Sequence, residues 1–418
     1  MTHDPWSSLR YPAYRSFLLA MGAVFVATQV QSTVLGWQVY RITGDPLSLG
    51  LVGLAEAVPF LALTLLGGWE ADRRDRRSLS LWSLGAVALS GAALLAATLL
   101  PLRSAVPLYA AQALAGVGRA FFRPASSALG TELVPREHYH NAATWRSSVL
   151  QTTMVVGPAL GGALLAVAGP WLGYAAVLAL SGCGLALLLS IGPRPRPAAG
   201  GGPSVFSALR EGVGFVFGQP LLLGAMSLDL FAVLFGGATA LLPVFATDVL
   251  RVGAIGFGVL RAAPAAGSVL MSFAMARLGE LRRAGPVLLW AVALFGLTWI
   301  GFAFSRWFAL SVALLAVGGM LDNVSVVLRS TLVQIWTPQD RMGRVSAVNG
   351  FFIGSSNELG AFESGLAARL LGLVPSVVFG GAMTLVTVAM VAWRVPALRR
   401  LGRIRPDEDR AAVDAAGP

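Results

Sequence analysis

Apolar residues run in stretches of about twenty along nearly the whole chain, separated by short polar, proline-containing or glycine-containing breaks. The stretches show neither the two-residue alternation of a half-buried strand nor the narrow stripe of a soluble surface helix. They are apolar all round, and their length suits a bilayer core about 30 Å thick. The pattern predicts helices over 16–39, 48–69, 79–100, 105–128, 142–167, 171–192, 221–247, 254–277, 285–305, 307–332, 345–370 and 373–394. The start, MTHDPWSSLRYPAYRS, is too polar for a cleavable leader, so the first helix is expected to stay in the membrane. The expected fold class is an all-α polytopic membrane protein with twelve transmembrane helices in two six-helix bundles.

Composition sharpens this picture. Only 12% of the 418 residues are charged, against about 25% in soluble chains, and the mean hydropathy is +0.71. All 31 basic residues are Arg and none is Lys. That excludes a phosphate-cradling GxxxxGK[ST] loop and Schiff-base chemistry. Cys183 lies in an apolar run and is read as a small packing residue, which leaves no intrachain disulfide. His3, His138 and His140 fall in polar segments, so neither a metal site nor an intramembrane histidine relay is expected. Twenty-one Arg residues lie in segments on the N-terminal side of the membrane and five on the other, which predicts that both termini are cytoplasmic. The formal charge of +11 is then a matter of topology, with no nucleic-acid partner.

The segment IGPRPRPAAGGGPS cannot lie in lipid as a helix and divides the chain six plus six. The expected domains are 1–192, a linker with an interfacial helix over 193–219, 220–396, and a tail over 397–418. Val205, Leu209, Val213 and Val216 share one face of that linker helix. The halves echo each other. LVPREHYHNAAT and WTPQDRMGRVSA align with Pro135 and Pro338 203 residues apart, and the basic loops around Arg76 and Arg282 lie 206 apart. Parallel duplication of this kind is a transporter trait.

The loop GGWEADRRDRR supplies Gly68, Asp72, Arg73, Arg76 and Arg77 in a GxxxDRxxRR pattern, with Asp75 where a Gly is usual. GPALGG supplies Gly157, Pro158, Gly161 and Gly162, small residues that permit close crossing around a proline bend. With LDLFAVLFGGATALLPVFATDVL, DNVSVVLRSTLVQIWTP, GRVSAVNGFFIGSSNELGAFESG and AFFRPASSALGTELVP, these stretches resemble the enterobactin-exporter-like branch of the major facilitator superfamily. The resemblance implies a cytoplasmic gate loop at Gly68–Arg77, with a tight glycine and with Asp72 near Gly343–Ser346. It implies that GPALGG is the fifth-helix motif of exporters. Relatives generally carry an acid where this chain has Ala361, and many drug exporters an Arg where it has Gln112.

Charged residues inside the apolar runs are the remaining candidates, because they are costly in lipid and generally face water or each other. Asp229, Glu358 and Glu363 are the proton-coupling candidates, since a carboxyl at that depth can take up and release a proton. Glu56, Arg119, Asp322 and Arg261 are the cavity candidates. Arg119 and Arg123, at i and i+4, share a helix face, as do Asp322 and Arg329. Trp37, Phe60, Phe231 and Phe352 offer an apolar wall. The expected function is a proton-coupled exporter of a siderophore or other amphipathic small molecule, monomeric and without cofactor. An importer on the same fold, and a non-transporting receptor or assembly factor, are the alternatives; nothing in the sequence marks an enzyme.

Overall fold

The computed structural model describes residues 4–100, 104–192, 205–278, 283–339 and 341–402. The linker segment 193–204 with Arg194 and Arg196, the loop residue Arg282, and the tail beyond 402 lie outside them. Among the described residues there are helices and no strands.

The chain forms two compact units. The first takes residues to 202 together with Pro243–Ala262, and the second takes Pro203–Leu242 and the remainder. The first begins with a 3-10 turn at Ser7–Arg10, followed by α1 (Pro12–Thr43), α2 (Pro46–Arg73), α3 (Arg76–Leu99), α4 (Val106–Glu132), α5 (Tyr139–Ala168) and α6 (Pro170–Leu189). Prolines open α1, α2 and α6, where the missing N–H costs nothing. Asp45 caps α2 by accepting from the Leu47 amide at 3.0 Å. In this unit α1 packs on α5 and α6, and α4 lies along both α2 and α3.

The second unit begins with α7 (Val205–Gly218) and α8 (Pro220–Gly236). The seventh apolar run, expected as one helix, breaks here. Gly236 and Gly237 end α8, a 3-10 turn at Ala238–Leu241 follows, then α9 (Leu242–Val244) and a π-turn at Phe245–Val249. Beyond lie α10 (Gly253–Leu278), which up to Ala262 belongs with the π-turn to the first unit, and α11 (Ala284–Phe304), α12 (Phe308–Trp336), α13 (Met342–Leu371), α14 (Leu373–Arg394) and the short α15 (Pro396–Arg400). Within this unit α8 packs on α13 and α14, α11 on α12 and α14, and α7 on α13. Val216 of α7 is fully buried in the unit's core, and Glu211 and Arg344 pair at 2.5 Å. The side chains of Val205 and Leu209 lie outside the described residues.

The duplication recurs in the packing seams. A Cβ added at Gly116 would collide with the Glu56 carbonyl of α2, and one at Gly319 with the Pro264 carbonyl of α10. Gly157 meets α1 at Gln29, and Gly360 meets α8 at Val233 and Leu234. Gly169 and Gly372 join the last two helices of each half at φ of 81° and 93°. Each pair is 203 residues apart, the spacing of Pro135 and Pro338.

Among the described residues ten helical stretches are long and apolar enough to cross a membrane, against twelve expected. The other two, α4 and α13, run to 27 and 30 residues where spans are expected. They carry the charges: Arg119, Arg123 and Glu132 on α4, and Arg344, Glu358, Glu363 and Arg369 on α13. Cys183 is exposed on α6, not packed as expected.

Candidate functional site

In the first unit the charged and amide side chains of four helices meet in one buried chain. The Glu56 carboxylate on α2 pairs with the Arg119 guanidinium at the midpoint of α4. Its second oxygen accepts from Gln112 Nε2 at 2.5 Å. The Gln112 carbonyl oxygen accepts from Gln31 Nε2 of α1 at 3.0 Å, and the same Gln31 nitrogen donates to Ser90 Oγ of α3 at 3.1 Å. Glu56, Gln112, Gln31 and Ser90 are all buried. Burial out of water makes such a charge-assisted network costly to break, because each freed group loses a partner it cannot replace. Arg119 also lies over the Phe60 ring, 5.7 Å from its centre.

The segment Pro243–Ala262 adds a second polar cluster to this unit. Tyr40 donates a short hydrogen bond to the Asp248 carboxylate, and Arg261 Nη2 donates to Ser32 Oγ at 2.6 Å. Trp37 stacks on Phe257, with centres 5.5 Å apart. Gly162 of the fifth-helix motif lets the backbones of α5 and α10 touch at Gly258, while Gly157 and Gly161 seat α5 on α1 at Gln29 and Thr33. Pro158 sits inside α5 at the same level.

In the second unit, Asp229 of α8 forms an ion pair with Arg329 of α12, and both are almost completely buried. The seven-residue spacing of Asp322 and Arg329 places them on one face of α12. They share a helix, but the guanidinium reaches across to α8, because a buried cation takes the carboxylate that packing brings to it. Asp322 and Glu363 are half-buried and make no ion pair or hydrogen bond among the described residues. Glu358 is half-buried on α13 and engaged. Phe231 stacks on Phe235 and Phe352 packs against the unit's core.

The loop between α2 and α3 is a capped, multiply bonded turn. Asp75, at the position where a glycine is usual, caps α3 by accepting from the Arg77 and Ser78 amides at 3.2 and 3.1 Å. Arg76 pairs with Glu132 at the end of α4 at 2.6 Å. Arg77 donates to the Leu188 and Leu189 carbonyls that close α6, at 3.3 and 3.0 Å, and Arg73 lies over Trp69 at 4.1 Å. The tight glycine is Gly67, where a Cβ would strike the Ala120 carbonyl of α4. Gly68 faces open space, which corrects the expectation placed on it. The Asp72 side chain lies outside the described residues.

Sequence reasoning missed Gln31, Ser90, Tyr40, Asp248 and Glu132. Amides and hydroxyls in apolar runs carry no periodic signal, although Gln112 stood out as a departure from an expected Arg. Among the described residues no three His, Cys, Asp or Glu side chains gather to hold a metal.

Ion pairs buried in mid-helix, and helix seams repeated between two halves, suit a membrane transporter built by duplication. The chain belongs to the transmembrane secretion effector family of the major facilitator superfamily, whose profile matches residues 3–407. Enterobactin exporter EntS of Shigella boydii is 28% identical over 92% of this chain and 94% of its own, and that of Salmonella choleraesuis 27% over 97% and 96%. In fold the chain is similar to a D-xylose-proton symporter, with a TM-score of 0.71 at 14% identity over 94% of this chain and 100% of the other. It is also similar to a bacterial homologue of the human lysosomal transporter Spinster, with a TM-score of 0.72 at 15% identity over 98% and 99%. The protein is thus a multi-span membrane transporter that handles a small molecule.

Proposed function

We propose that the chain is a proton-coupled exporter of a siderophore or other amphipathic small molecule. In this reading it works as a monomer by alternating access of the halves 1–192 and 220–396, with both termini in the cytoplasm. The named cargo of its relatives, the bias of Arg to one side and the depth of its charges support the reading. The Asp229–Arg329 pair carries it. A proton taken up by Asp229 cancels its charge and leaves Arg329 a buried guanidinium without its counterion, a state several kcal/mol costlier by the usual order of about 3–5 kcal/mol for a broken buried pair. That cost favours any rearrangement giving Arg329 another partner, which is how a proton can drive a conformational step. Glu358 and Glu363 are the other proton sites of this reading. Glu56, Arg119, Asp322 and Arg261 belong to the cargo side, and Asp72, Arg73, Arg76 and Arg77 to the gate.

The test uses inside-out vesicles with an acidic lumen and enterobactin as the cargo probe. Wild type should accumulate it until a protonophore is added, and Asp229→Asn should insert normally and accumulate none. Accumulation that ignores the gradient, or an Asp229→Asn variant as active as wild type, would remove the pair from the mechanism.

A further inference from the structure

Beyond the midpoint of α4, the exposed positions are Arg123, Ser127 and Thr131 and no others among the described residues. Their four-residue spacing puts them on one face, continuing from Arg119 over about 18 Å. Packing along α2 and α3, both of membrane-spanning length, carries this helix to bilayer depth. A face open to lipid looks different: α3 exposes Trp82, Leu89 and Leu99. A guanidinium aimed at hydrocarbon is costly, so the α4 face borders water. The adjoining half of α5 agrees, exposing Thr144, Ser147, Ser148 and Thr152. Arg146 of α5 donates to Ser127 Oγ at 3.2 Å, and with Tyr14, Thr131 and Tyr139 lines a cleft of about 110 Å³.

The charge of this face is one-sided. Arg119, Arg123 and Arg146 stand along it, while among the described residues Glu56 is the single carboxylate paired with any of them, and it is taken by Arg119. Among the described residues neither Arg123 nor Arg146 has a carboxylate partner. Retention of positive charge on the cytoplasmic side explains arginines in loops, but Arg123 lies more than two turns inside its helix. We infer that the α4–α5 face, from Arg123 through Ser127 and Arg146 to Thr131, is a binding track for the acidic groups of the cargo. The cargo is therefore an anionic amphipath, with carboxylate, sulfonate or ionised phenol oxygens placed to accept from two guanidinium forks. This inference rests on the transporter reading and names its substrate class.

Two xanthene dyes of similar size and opposite charge test it: carboxyfluorescein and rhodamine 123. Binding is measured by fluorescence anisotropy on the full chain in a neutral maltoside detergent. The anionic dye should bind, and more weakly as salt rises. Arg123→Gln and Arg146→Gln should each weaken it roughly tenfold, the order of one charge-assisted contact, and Arg123→Lys should keep most of the affinity. Absence of carboxyfluorescein binding, equal or tighter binding of rhodamine 123, or Gln variants that bind like wild type would overturn the inference. Displacement of the dye by stoichiometric phosphatidylglycerol would give the face to lipid headgroups and overturn it equally. The same dyes in proteoliposomes separate this claim from the broader one. An anion bound but not moved contradicts transport alone, and a cation moved while no anion binds contradicts the track alone.

Discussion

Arg329 and Asp229 are the residues on which the fold and the proposed mechanism most depend. Each is nearly inaccessible, so neither can turn to water when its partner is lost. Arg329→Ala strands a carboxylate in an apolar core and should cost about 3–5 kcal/mol, whereas Asp229→Asn combined with Arg329→Gln, which removes both charges, should cost much less. Thermal unfolding followed by size-exclusion chromatography checks this; equal losses in the single and the paired variant would mean that the charges do not depend on each other. Half of this pair was legible in the sequence. Both residues stood out as charges in apolar runs, but helical periodicity reports only which side chains share a face of one helix, and so related Arg329 to Asp322 alone. The partner on α8 is set by helix packing, which no single-helix pattern records. Glu56 and Arg119 were both singled out for the same reason, while Gln31 and Ser90, which extend their network, look in the sequence like ordinary polar residues of a membrane helix.

At the scale of elements, close approach of helices decides which side chains can meet. Gly116 and Gly319 occupy equivalent seams, and in both a new side chain would strike backbone rather than a movable side chain. Gly116→Leu should separate α2 from α4 and pull Arg119 away from Glu56, and Gly319→Leu should do the same between α10 and α12. Each should destabilise by about 1–3 kcal/mol or more. Unfolding temperatures of the two variants check this, and wild-type stability in both would show that the seams are slack. The long helices were readable because all-round apolar runs of bilayer length admit few other structures. The break after Gly236 was not, because the 3-10 and π turns between Ala238 and Val249 keep the apolar composition of a helix and differ only in hydrogen-bond register. The loop after α2 was legible as a motif, but its tight glycine was placed one residue late: Gly67 and Gly68 are chemically identical and differ only in which one faces α4.

For the whole molecule, the sequence showed the duplication through the spacing of its two Pro-containing loops, and the structure repeats that spacing in three pairs of glycines. It could not show how the charges divide. The first unit holds Arg119, Arg123, Arg146 and Arg261 within its helices beside the carboxylate of Glu56, and the second holds Asp229, Asp322, Glu358 and Glu363 beside the guanidinium of Arg329. That division suits a transporter whose first unit engages cargo and whose second engages protons. The central claim is an exchange of one for the other, and reciprocity makes it measurable without an imposed pH gradient. Proteoliposomes loaded with enterobactin and a lumenal pH dye are diluted into cargo-free buffer. Outward flow of cargo should draw protons in and acidify the lumen, and Asp229→Asn should abolish the acidification. A lumen that stays at constant pH, or turns alkaline, while cargo leaves would contradict the account.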